Sequence, residues 1–526
     1  MRWLTAILGW AALALAAPAH AEWLEASNAH FIIYGDLPRA KMQQFADRLE
    51  RFDAALRRGL KLEDTAGAPA NRVTIYVVRS TDDVGRLYGK GGGDIAGFYI
   101  GRVEGPIAIT PRATDADDQY FTAQFVLFHE YTHHVILSSS SAYYPVWAGE
   151  GLAELFSVVR FEANGDVVLG GANNARAPTI LSNLPMTVTE LLGTDRKKLN
   201  SEEEAHKYAR GWLLVHYLML SGKRPGQFNS FLVQVNKGVP AMEAAKAAFG
   251  DLRQLDRELD RYREGTLRAV VLAADALKPQ PVTLRPLDPG EAAMMPLRIR
   301  STVGVNREQA KALIAPARAI AARYPQHRWV QRVLAEMEFD AGNEAEADAA
   351  CDRALAIDAN DVDALIYKGL VEVRRAGAAG KSDAEARTTH WKAARRWFVK
   401  ANRANPQYAY PFVLFYNSFA ALDETPSKAA IAGLEEAVAL VPQADSVRVL
   451  LAMEKLRTGD LAAVRAVLAP VAADPHGGGD NRAARLIALI DSGADLETVR
   501  KAAGGDDAKD GSAKPEGTRP SRRNGL

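Results

Sequence analysis

Apolar positions recur along this chain in two rhythms, and the change between them divides it. Through residues 22–115, short β-branched and aromatic runs alternate with helical periodicity, as in a mixed α/β segment. His30-Phe31-Ile32-Ile33-Tyr34 before Gly35-Asp36 predicts a strand, and residues 73–78 (VTIYVV) predict another. Between them, residues 38–58 predict an amphipathic helix, with Gly59 placed to cap its end. Residues 97–100 and 107–110 predict a hairpin turning at Glu104-Gly105. Residues 120–137 carry apolar side chains on nearly every side, which predicts a helix buried within its domain. Ser138 to Ser141 and Pro145 end it. Asn164-Gly165 between apolar runs predicts a type I′ hairpin over residues 158–169. Helical patterning then runs to about Leu267 and includes a helix over residues 202–220.

Residues 277–303 hold five prolines and break that pattern, predicting a connector with some strand content. From Asn306 the rhythm becomes that of Ala-rich helices, and it repeats. Ala, a large residue four positions on, Ala three further, then a turn residue five beyond, recur at Ala347/Cys351/Ala354 with Ala359, Ala394/Phe398/Ala401 with Pro406, and Ala430/Leu434/Ala437 with Pro442. A degenerate copy is Ala463/Val467 with Pro475. With Pro325 as an earlier mark, the turn positions lie 34, 47, 36 and 33 residues apart, the longest gap implying an insertion near residues 376–388. The repeat resembles the tetratricopeptide type, in which small residues let paired helices cross closely. Cys351, the only cysteine, falls on the large buried position and reads as a structural thiol. From about Lys501 the tail is rich in Gly, Pro and charge, which predicts disorder.

Composition narrows the class. At 48% hydrophobic and 25% charged, the 526 residues describe two or three globular domains. A net charge of +1 gives no footprint for nucleic acid or an anionic membrane. Arg2, the apolar stretch over residues 4–17 and Ala19-His20-Ala21 read as a signal peptide cleaved before Glu22. The mature chain is therefore expected in the periplasm or the medium, without stable membrane insertion.

The chemistry concentrates at His129-Glu130-Tyr131-Thr132-His133, an H-E-x-x-H motif, followed after 16 residues by Glu150 within W-x-x-E-G-x-A-E. Histidines at i and i+4 share one helix face, so both imidazoles reach one zinc ion. Glu130 sits beside that ion without ligating it, placed to take a proton from a zinc-activated water. Glu150 is the natural third ligand; Glu154, one turn on, supports a ligand histidine or serves as the fallback ligand with a spacer of 20.

H-E-x-x-H followed by W-x-x-E-G-x-A-E resembles the gluzincin metallopeptidases, of the thermolysin and aminopeptidase N kind, and most of all the peptidase-MA-like secreted bacterial proteins. The resemblance covers roughly residues 24–265. It implies Zn2+ held by His129, His133 and Glu150, and Glu130 as general base. It also implies an oxyanion-stabilising Tyr or His on a later helix, for which Tyr208 is the candidate, with His206 nearby. By the same resemblance, residues 107–110 are the sheet edge that pairs with extended substrate. His134 and His216 read as structural histidines. The expected fold is thus an α+β zincin-like metallopeptidase domain, a small mixed sheet plus helices over residues 22–275 (22–115 mixed, 116–275 mainly helical), after a signal peptide at 1–21. A Pro-rich connector (276–304), an all-α tetratricopeptide-like superhelix (305–500) and a tail (501–526) follow. The expected function is an exported zinc metallopeptidase whose repeats recruit a protein substrate or partner. The alternative is a non-catalytic envelope scaffold that binds protein through those repeats.

Overall fold

The computed structural model describes residues 22–63, 71–89, 92, 95–112, 123–138, 143–182, 186–194, 199–380, 382–473, 481–504 and 524–525. The expected signal peptide and most of the expected disordered tail lie outside them; the described tail residues are ordered instead, 501–504 ending a helix and 524–525 forming a short strand.

The first half opens with strands β1 (Leu24–Ser27) and β2 (Phe31–Gly35), helix α1 (Arg39–Leu60), strand β3 (Val73–Val78) and helix α2 (Thr81–Tyr88). The hairpin β4 (Phe98–Ile100) and β5 (Ile107–Pro111) precedes helices α3 (Ala123–Ser138) and α4 (Val146–Ser157). Strands β6 (Arg160–Phe161) and β7 (Val167–Leu169) lead to α5 (Ala177–Leu181), α6 (Val188–Leu191), α7 (Ser201–Leu220), α8 (Gln227–Asn236), α9 (Ala241–Phe249) and α10 (Leu252–Arg263). Strand β8 (Val270–Leu272) pairs with β7, and β9 (Thr283–Pro286) returns to pair with β1.

The main sheet is mixed. β2, β3 and β5 run parallel, while β1, β9 and β4 are antiparallel to their neighbours. Side chains alternate across it with the period of 2 that a pleat imposes. Val73, Ile75 and Val77 face the core shared with α1 and α3, and Tyr76 and Val78 face the opposite layer.

Three local expectations are corrected. Residues 107–110 are not an edge: β5 is hydrogen-bonded to β3 on one side and β4 on the other, so β4 is the outer strand of the hairpin. Strand order is a tertiary property that a hairpin's own sequence does not encode. The cap of α1 is Lys61, in the left-handed region at φ 56°, whereas a Cβ on Gly59 would lie 2.8 Å from the ring of Phe156. That glycine therefore serves helix packing. The β6–β7 turn takes a positive φ only at Gly165, and Gly165 N–H donates to Glu162 O, so the turn is not type I′.

The residues expected as a connector are built into the structure. Besides β9 they form helix α11 (Pro289–Thr302), opened by an Asp288/Glu291 capping box with Pro289 at its first turn. Met295 and Ile299 pack on the sheet's second face, while Met294 belongs to the core of the helices that follow.

Those helices are α12 (Arg307–Arg323), α13 (Arg328–Ala341), α14 (Glu344–Ile357), α15 (Val362–Ala379), α16 (Ala384–Ala404), α17 (Ala409–Ala420), α18 (Lys428–Leu440), α19 (Asp445–Thr458), α20 (Leu461–Ala472), α21 (Arg482–Asp491) and α22 (Leu496–Gly504). Each packs on the next, giving a tetratricopeptide-like array of helix pairs that begins with α11 and α12. The repeat residues at 347/351/354, 394/398/401 and 430/434/437 are all fully buried. The last copy is shifted by one position, since Val464 and Leu468 are buried while Ala463 and Val467 are not. The long gap is absorbed as extra helical turns, with 18 residues in α15 and 21 in α16. Gly369 of α15 explains the close crossing of that pair, because a Cβ there would meet the Phe398 ring at 2.4 Å. Strand β10 (Asn524–Gly525) ends the described chain and pairs with β4. Among the described residues, no helix is long and apolar enough to cross a membrane.

Cys351 is fully buried, and that burial pushes its thiol well above the usual cysteine range. In the native protein at pH 8, reaction with Ellman's reagent should be slower by roughly 100-fold or more than in denaturant, where one thiol reacts. Fast labelling of folded protein would contradict this packing.

Candidate metal centre

Helix α3 is apolar around its whole circumference, and residues 125–136 are buried without exception. Its ionisable residues are therefore held inside the domain. His129 and His133 project from one face toward α4, which brings Glu150 up to them; all three are buried.

The ligand atoms converge. His129 Nε2 lies 3.2 Å from His133 Nε2 and 3.2 Å from Glu150 Oε2, and His133 Nε2 lies 3.5 Å from that same oxygen. Three donors around a tetrahedral zinc, at bond lengths near 2.0–2.1 Å, stand about 3.3 Å apart. Glu150 Oε2 is buried without a hydrogen-bond partner, which would leave it costly unless a cation completes it. Donor type, spacing and that orphaned oxygen all fit zinc.

Burial opposes the Glu150 anion, but the two imidazoles beside it, His133 foremost, hold its carboxyl well below the usual range. Burial likewise opposes a proton on His129, yet Glu150, then Glu154 and Glu130, raise its affinity.

Glu154 stands on the other side of the His129 ring, its Oε1 3.6 Å from Nδ1. Glu154 is outside the converging set, and at that distance it makes no hydrogen bond to His129. Two groups that the sequence reading did not identify hold it. Arg176 donates to both its oxygens at 3.1 and 2.7 Å, and Asn173 Nδ2 donates at 2.7 Å. The only sequence signal for them is a polar stretch after Gly170-Gly171.

Tyr208 reaches the site because α4 and α7 nearly touch. A Cβ on Gly151 would lie 2.6 Å from Gly211 O, so the glycine after Glu150 is required by the crossing. Tyr208 O–H donates to Glu150 Oε1 at 3.2 Å, and the guanidinium carbon of Arg176 lies 4.6 Å from its ring centre. Burial, reinforced by Glu150 and Glu154, raises the phenol well above its usual value, so it remains a donor. His206 lies on the same helix, partly buried.

Glu130 lines a small cleft with Gly97 and Tyr99 of the β4 side, Ala108 and Thr110 of β5, and Val126. His134 is a structural histidine. Its Nδ1 and Tyr99 O–H are 2.9 Å apart, its ring stacks on Tyr131, and burial, with Arg57 and His30 nearby, pushes its pKa down to about 3. His216 is likewise engaged, by Gly170 O at 3.1 Å and Tyr262 O–H at 2.9 Å.

No family model matches this sequence, and no curated protein matches it. Among solved structures, a thermophilic TPR protein from Thermus thermophilus aligns at 18% identity over 40% of this chain and 95% of its own, with a TM-score of 0.29. MamA aligns at 14% identity over 36% of this chain and 93% of its own, with a TM-score of 0.26. The Cut9–Hcn1 hetero-tetramer of the APC/C aligns at 15% identity over 69% of this chain and 67% of its own, with a TM-score of 0.28. The first is a repeat protein by its own description, and none of the three is described as a peptidase.

Arg176→Gln should leave Glu154 underpaired, lowering stability by about 3–5 kcal/mol. It should also weaken zinc retention by roughly 10- to 100-fold, as loss of a ligand's supporting contacts does. Denaturation midpoints and a chelator competition series measure the two effects.

Proposed function

We propose that this protein is an exported zinc-dependent peptidase whose helical repeats hold a protein substrate or partner. The observation that carries the reading is the convergence of His129, His133 and Glu150 at zinc-ligand spacing, with Glu130 next to His129 on the same buried helix. Export rests on the signal-like first 21 residues.

His129, His133 and Glu150 would hold the ion. Bound there, zinc supplies a water of lowered pKa and polarises the scissile carbonyl. Glu130 takes the proton from the attacking water and later hands it to the departing amine. Tyr208, kept protonated by burial and two neighbouring carboxylates, would turn its one hydroxyl hydrogen from Glu150 Oε1 to the developing oxyanion. Glu154, clamped by Arg176 and Asn173, lies 3.6 Å behind His129 Nδ1, from where it would accept that ring N–H once the pair tightens. The outer strand β4 borders the Glu130 cleft, and an extended peptide would pair there in place of Asn524–Gly525.

A second reading is a non-catalytic scaffold that binds protein partners through the array of helix pairs. The array itself favours it, because stacked helix pairs present one extended surface to a partner. Both readings give the array a protein-binding role; turnover separates them.

Wild-type protein should contain about one zinc per chain, and His133→Ala should contain none. Glu130→Gln should keep the metal and lose at least about 100-fold of peptide-hydrolysing activity on a quenched casein substrate. A wild type that binds no zinc, or an E130Q variant as active as wild type, would overturn the peptidase reading.

A further inference from the structure

The outer edge of β4 is already taken by this chain's own tail. Asn524 pairs with Tyr99 and Gly525 with Phe98, antiparallel, on the strand that borders the Glu130 cleft. Elsewhere β4 is fixed in place. Its partner β5 holds the inner edge, and the Tyr99 hydroxyl is engaged by His134 from α3 beneath the sheet.

The hairpin is also braced from the repeat array. Val103 packs among the apolar residues of α17, α18 and α19, Tyr408 O–H donates to Glu104 O at 3.3 Å, and Arg102 donates to Thr302 O at 2.8 Å. Burial raises the Tyr99 phenol, and Glu130 and Asp445 both add to it, so the array's acidic Asp445 lies near the cleft. In sequence, Arg522 and Arg523 directly precede the paired residues.

From this pairing we infer that the tail caps the β4 edge in cis, as a strand that any extended peptide must displace. The capping stands on the backbone pairing alone, while its effect on turnover rests on the peptidase reading. A tail bound by main-chain hydrogen bonds imposes little side-chain demand, and it covers a strand edge that would otherwise be open to unrelated chains. As a covalent part of the chain it binds at a high effective concentration, so only a segment of matching direction, or one concentrated by the repeats, competes well.

The test is backbone hydrogen exchange in the segment covering residues 97–101, which reads the edge without reference to catalysis. Full-length protein, its intact mass verified, is compared with a chain ending at Gly504 and with the full-length double variant Asn524→Pro, Gly525→Pro. The double variant removes whichever of the two tail N–H groups faces β4 and keeps every charge. Exchange should speed up by about tenfold in both, and a synthetic peptide of residues 505–526 should restore protection to the shortened chain. Unchanged exchange in either altered chain overturns the inference. So does protection of the full-length protein that fades on dilution, because the tail would then be pairing with a second copy. Faster exchange in chains that show no zinc-dependent turnover would sink the peptidase reading and leave the capping intact.

Discussion

Burying ionised groups is the constraint around which the first half of this molecule is arranged. Helix α3 has no solvent face, yet it carries Glu130, His129 and His133, and it packs beside further buried charge. Such groups are stable inside a protein only when each is matched. On one side, Glu150 is matched by two imidazoles and Tyr208, and Glu154 by Arg176 and Asn173. On the other, Arg57 donates to Asp53 through Nε at 2.8 Å, Tyr131 O–H donates to the same carboxylate at 2.7 Å, and His30 Nδ1 lies 3.1 Å from Glu50. Tyr131 extends from α3 itself, so the second network fixes the rotation of the helix that presents His129 and His133. The candidate centre is held from behind as firmly as from in front.

What the sequence revealed follows the range over which each feature is determined. The His129/His133 pair needs only a helix, and a spacing of four residues supplies the geometry. Glu150 needs one turn of chain and a second helix, still a local matter. Tyr208 depends on α7 crossing α4 at Gly151 and Gly211; its position came by resemblance, and the crossing that justifies it is visible only in three dimensions. Arg176 and Asn173 are polar residues in a loop, and nothing in their neighbourhood distinguishes them from ordinary surface. The same limit explains the exchange of β5 for β4 as outer strand. Each strand was legible from its alternation, whereas their order depends on which one β3 pairs with.

Proline content misdirects where packing overrides it. Pro289 opens α11 at a position where its missing N–H costs nothing, and Pro296 is accommodated within the helix. The result joins the two halves of the chain, with adjacent methionines facing different cores: Met294 toward the repeats and Met295 toward the sheet. In the array, burial of the small and large repeat residues was readable because every copy restates it. The one-position shift at Val464 and Leu468 appears where the copy is most degenerate.

The pairing of β9 with β1 has a consequence for how the molecule comes into being. Arg285 on β9 donates to Glu25 on β1, residues 260 apart in the chain. The first strand made is therefore flanked on its outer side by one of the last segments of its half. A chain emerging from its N-terminal end cannot complete this sheet until residues 283–286 have followed, and closing so long a loop slows the final step. Until then β1 presents an unsatisfied outer edge.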